Sequence, residues 1–150
     1  MKSSGTLRWP RVIALALALA TVPTVLAWQH FQLEQEYHAL WMLLNRARTQ
    51  AMRAGPVTVR FTDHRAVLEN RAGDVLESLF LATLHEVRYQ TTQGDRRIVF
   101  GPGGGQTSPY NVHLHGGDMM LRSWTGQERS LWVHCTSGIT GERNEDWTLN

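Results

Sequence analysis

The apolar positions change their period twice along the chain, and each change marks an element. Val12–Trp28, VIALALALATVPTVLAW, carries no charged residue. As a helix at ~1.5 Å per residue it would be about 25 Å long, near the short end of what crosses a bilayer. Beyond it Leu33, Tyr37, Leu40, Trp41, Leu44, Ala47 and Ala51 recur mostly at steps of three and four, the stripe of an amphipathic helix. No glycine interrupts the chain between Val12 and Ala54. The pattern therefore predicts one continuous helix, apolar all round at first and one-sided later, that ends at Gly55-Pro56. Pro23 should kink it, which a membrane helix tolerates. Leu40, Trp41 and Leu44 are the residues expected to pack this helix on the domain that follows.

After Gly55 the period falls to two. Val57, Val59 and Phe61 alternate with Thr58 and Arg60, and Asp63-His64 turns the chain into a short strand around Ala66–Glu69. Leu76–Leu84 fits either a buried strand or a short helix. Further strand signals fall at Val87–Thr91, Arg97–Phe100, Asn111–His115, Met119–Trp124 and Leu131–Cys135, with glycine-rich joints between them. A helix followed only by strands predicts an α+β fold in which the helix lies on one face of an antiparallel sheet. Four segments result: a basic leader (1–11), the helix (12–54), a β domain (55–143) and a C-terminal tail (144–150).

Charge gives this plan a direction. Met1–Arg11 holds Lys2, Arg8 and Arg11 with no acid, and Glu34 and Glu36 are the first acids after the apolar run. That asymmetry points the N-terminus to the cytoplasm and the β domain to the opposite side of the membrane. Val12, Leu17, Pro23 and Trp28 are then anchor residues, with Trp28 at the interface. Val25 and Ala27 are also small enough for a signal cleavage before Trp28, which would release a secreted β domain that binds a ligand. The amphipathic pattern continuing past Ala27 favours the retained anchor.

Three stretches carry a family resemblance. The first is the apolar helix with a proline near its distal end, running into an amphipathic half. The second is LLNRARTQAMRAGPVTV, Leu43–Val59, at the junction of helix and first strand. The third is RIVFGPGGGQTSPYNVHLHGG, Arg97–Gly117, followed by RSLWVHCTSGITGER, Arg129–Arg143, as a closing strand pair. In this order and spacing they resemble the H-type minor pseudopilins of type II secretion and the related FimT-like minor pilins of type IV pili. The resemblance implies a pilin-like fold and a non-enzymatic, low-copy subunit of a type II secretion pseudopilus, tip-proximal or priming. Its partners would be other pilin or pseudopilin subunits, the bacterial inner membrane and secreted cargo. A type IV minor pilin, with a link to DNA uptake, is the alternative. Gly5-Thr6 corresponds to the prepilin cleavage position, although Gly5-Thr6-Leu7-Arg8-Trp9-Pro10 lacks the phenylalanine and the glutamate usual there. The closing segment, Gly138-Ile139-Thr140-Gly141-Glu142-Arg143, also departs from the family's Gly-Arg pair.

Other chemistry finds little support. His113 and His115 would share a strand face near His134-Cys135, but no complete zinc-ligand spacing occurs, so solvated histidines are expected and no cofactor is implied. Cys135, the single cysteine, has no base or orienting partner in view and reads as a small buried residue. Gly101-Pro102-Gly103-Gly104-Gly105 lacks the lysine and hydroxyl residue of a phosphate loop and reads as a flexible connection. Trp41, Trp124, Trp132 and Trp147 are expected in packing, with Trp124 and Trp147 as candidates for an exposed contact. Arg143 stands among Glu142, Glu145 and Asp146, and the segment from Gly101 onward has three arginines against five acids. A nucleic-acid surface is not expected there.

Overall fold

The computed structural model describes residues 9–89, 96–104, 117–134 and 138–142. A single helix, α1 (Trp9–Ala54), runs through 46 residues with Pro23 inside it, about 69 Å at ~1.5 Å per residue. Pro23 has no N–H to give the Leu19 carbonyl, so the ladder lacks one bond there. Gly55 ends the helix at a φ of 94°, its N–H reaching the Ala51 carbonyl at 3.1 Å. That left-handed cap suits glycine, and Pro56 cannot extend the helix beyond it.

Eight strands follow: β1 (Val57–Thr62), β2 (Arg65–Glu69), β3 (Val75–Phe80), β4 (Leu84–Tyr89), β5 (Arg97–Phe100), β6 (Gly117–Arg122), β7 (Glu128–Val133) and β8 (Thr140–Glu142). They form two four-stranded sheets, ordered β3-β2-β1-β5 and β4-β6-β7-β8, with every pairing antiparallel. The single sheet expected from the sequence is thus corrected to two. Alternation tells which side of a strand is buried, but not which strands pair.

The division falls inside the ambiguous Leu76–Leu84 run, which is a strand, a turn and the start of another strand. Leu81 N–H donates to the His64 carbonyl at 2.8 Å and ties the end of β3 to the β1–β2 turn. Two residues later the Thr83 carbonyl accepts the Arg122 N–H at 2.7 Å, beside the second sheet. The chain changes sheets between these two bonds. Asn111–His115 lies outside the described residues.

The helix packs on β1, β2 and β5 of one sheet and on β6, β7 and β8 of the other. Leu33, Tyr37, Leu40, Leu43, Leu44, Ala47 and Ala51 bury themselves against Val59, Phe61, Leu68, Ile98, Phe100, Met119, Leu121, Leu131 and Val133. Each fully buried leucine contributes about 1.5–3 kcal/mol relative to exposure. The distal half of α1 is therefore a core element common to both sheets.

Candidate assembly surface

The proximal half of α1 is a different surface. Val12, Leu15, Leu17, Leu19, Val22, Leu26 and Trp28 are all exposed. Among the described residues this is the one helix long and apolar enough to cross a membrane. None of the described β-domain residues covers it, so an isolated chain in water would leave a long apolar cylinder hydrated. Gly5 and Thr6, the positions matching a prepilin cleavage, lie outside the described residues.

Just beyond Trp28 the helix becomes attached. Glu34 accepts the Arg129 Nε–H at 2.7 Å, and the same guanidinium reaches Glu142 of β8 at 2.7 Å. Arg129 also lies 5.8 Å from the centre of the Tyr37 ring. Its hydrogen bond to Glu34 pushes the guanidinium pKa further up, against the opposing cost of burial. Burial first, then the nearby Glu142 carboxylate, raises the Tyr37 hydroxyl pKa. Glu36 accepts both the Thr83 N–H at 2.8 Å and the Thr83 hydroxyl at 2.6 Å. The first two acids of the chain thus bind its own second sheet and the turn leading into it. The sequence held no signal for these partners, which lie 95 and 47 residues away.

Of the three expected packing residues, Leu40 and Leu44 are fully buried, whereas Trp41 is 39% exposed. The correction follows from helical rotation: Trp41 sits about 100° around the helix from Leu40, on the flank of the stripe. Its ring lies against Tyr37 and His38, with centroids 6.3 Å from each. It lines a groove of about 900 Å³ between α1 and the β2–β3 side of the first sheet, with Met42, Arg46, Leu68, Leu76 and Glu77. Arg46 crosses this groove to Glu77 at 2.7 Å. Leu43, not singled out in the sequence, takes the buried place; its spacing of three from Leu40 and four from Ala47 is the signal that marks it.

Two further expectations change. Gly101 and Gly104 are buried, and a Cβ on Gly104 would meet Met52 Sδ at 2.8 Å. This end of the glycine-rich connection is a close-packed turn against the C-terminal end of α1 rather than a free loop. Trp124 is not packed: it is 72% exposed in the β6–β7 turn, because the tight turn leaves no wall on its outer side. Trp132 is partly buried and donates its indole N–H to the Glu142 carbonyl at 3.2 Å. His134 is exposed, and the described residues contain no group of three or more potential metal ligands. His113, His115, Cys135, Arg143 and Trp147 lie outside the described residues.

No protein-family model and no curated protein matches the chain. A solved structure does. The crystal structure of the type IV minor pilin FimU of Pseudomonas aeruginosa superposes with a TM-score of 0.55, covering 77% of this chain and 90% of that one at 12% identity. The fold is pilin-like. At that identity the likeness concerns architecture, a long N-terminal helix laid on antiparallel sheets.

Proposed function

We propose that this chain is a minor pilin-like structural subunit, anchored in the bacterial inner membrane by Val12–Trp28 and displaying its β domain in the periplasm. The observation that carries the reading is the division of α1 into an exposed apolar half and a half with one face buried in a pilin-like domain. The exposed half suits lipid before assembly and the helices of neighbouring subunits after it, since both offer an apolar surface. The role is to build, not to catalyse. We place it in a type II secretion pseudopilus, as a low-copy subunit that primes or tips a short filament and contacts secreted protein. The likeness to FimU favours a second reading, a minor pilin of a type IV pilus.

The mature N-terminus and the filament it enters test both. Full-length protein should sediment with membranes and resist carbonate extraction. A mature start at Thr6 supports pilin processing and an intact start supports a plain anchor. Soluble protein beginning at Trp28 would end the anchor reading. Co-purification with a periplasmic secretion filament or with surface pili decides between the two assemblies.

A further inference from the structure

The end of the β domain nearest the apolar run carries an aromatic residue that the fold itself does not use. Gln29 and Gln32 of α1 line a cleft of about 510 Å³ together with Thr83, His85, Ser123 and Trp124. At ~1.5 Å per residue these glutamines lie only about 1.5–6 Å beyond Trp28 along the helix axis. The Trp124 turn is held at that level by hydrogen bonds. Glu36 grips Thr83 through its N–H and hydroxyl, and the Thr83 carbonyl accepts the Arg122 N–H at 2.7 Å. The turn is closed by Gly126 N–H to the Ser123 carbonyl at 3.0 Å and by Gln127 N–H to Ser123 Oγ at 3.1 Å. Its position beside the start of the polar helix is therefore built into the domain.

We infer that the β6–β7 turn is a bilayer contact, with Trp124 seated in the headgroup layer of the membrane that holds Val12–Trp28. An exposed indole is costly in water and favoured where an apolar ring meets a wet boundary. Trp28 and Phe31, exposed and 6.3 Å apart between ring centres, lie at the same level of the helix. Trp124, lining its cleft beside Gln29 and Gln32, falls at the same level along the helix, where the apolar run ends. The lipid surface is continuous with the helix segment beside the turn, which is why lipid rather than a protein partner is assigned. A second foothold would limit how far the domain can tilt about its single helix. This inference rests on the reading of Val12–Trp28 as a membrane anchor.

The test uses the full chain in phosphatidylcholine–phosphatidylglycerol vesicles. Subtracting the emission of Trp124→Phe from that of the wild type isolates the Trp124 indole, and Trp124→Tyr gives a second subtraction if the first variant folds poorly. The isolated emission should lose most of its intensity to lipids brominated high on the acyl chain and little to aqueous iodide. Quenching by iodide alone, in protein that still resists carbonate extraction, overturns the bilayer contact and leaves the anchor standing. Shielding from both quenchers also overturns it, since the indole is then buried against protein. Release of the chain by carbonate removes the anchor reading and this inference together.

Discussion

Leu40 and Trp41 are adjacent in sequence and about 100° apart around α1, which places one among both sheets and the other on the wall of an open groove. Removing the leucine leaves a cavity that the packed sheets cannot close. Removing the indole exposes a groove already hydrated. In a soluble form beginning at Gln29, Leu40→Ala and Leu44→Ala should each lower stability by about 2–5 kcal/mol. Trp41→Ala should cost about 1 kcal/mol, near the centre of ordinary substitutions. Urea midpoints will show the order, and an equal loss at Trp41 would mean that the ring is buried. Gly138 is the opposite case, a position with no room. Its φ is +64°, and a Cβ there would come within 1.9 Å of the Gly104 carbonyl oxygen. The obstacle is backbone, so no side-chain rotation relieves it. Gly138→Ala should therefore cost about 2–4 kcal/mol, combining left-handed strain with overpacking, whereas Gly126→Ala, with open space around it, should show only the strain.

Among the polar contacts that tie the helix to the sheets, those made by Glu36 and Glu34 are of unequal strength. Thr83 is buried and gives Glu36 a short charge-assisted bond, so Thr83→Val should cost about 1.5–3 kcal/mol. Arg129, more than a third exposed, spans Glu34 and Glu142 in partial contact with water. Arg129→Gln should cost no more than about 1 kcal/mol, with the difference shrinking as salt screens the pairs. Chemical denaturation in urea at low and high ionic strength separates the two: only the Arg129 effect should fade. Neither contact was legible in the sequence, because Glu34 and Glu36 carry no mark of residues that meet them from distant strands. The α1 stripe was legible, since a face buried along one helix repeats every three or four residues whatever lies opposite. The Asp63-His64 turn was legible for a similar reason, as both its strands flank it directly. The two-sheet division was not, because Leu81 and Thr83 look alike in an apolar run yet bond to different sheets. For Trp124 packing was expected and an exposed contact was the alternative; the pattern could not choose, because an indole counts as apolar in any pattern while its exposure depends on a turn that leaves it uncovered.

Across the molecule, charge is absent where the helix is bare and concentrated where it is attached. Leu17 lies within the uncharged run, so Leu17→Arg should weaken membrane insertion by roughly 2.5–3.5 kcal/mol on the translocon scale. Carbonate extraction of the variant beside the wild type measures that loss, and unchanged retention would argue against a spanning role. The same absence bears on assembly. In the filaments that the sequence resembles, a glutamate near the start of the apolar helix offsets the amino-terminal charge of a neighbour and fixes axial register. An unpaired charge among apolar helices is costly, so such a pair selects one alignment. Between Met1 and Leu33 this chain has no acid, while Arg8 and Arg11 border the run. The first acids, Glu34 and Glu36, are engaged with Arg129 and Thr83 of their own domain. On the proposed reading, a subunit of this kind would lack the usual means of repeating along a shaft and would suit a tip or priming complex, where that neighbour contact is missing on one side. Counting subunits in purified filaments should give a small number per filament, and a copy number near that of the major subunit would rule the role out. Placing Glu at Arg8 or Trp9 should then raise incorporation if the missing carboxylate is what limits it. Unchanged incorporation in those variants would leave the tip position standing and remove the carboxylate as its cause.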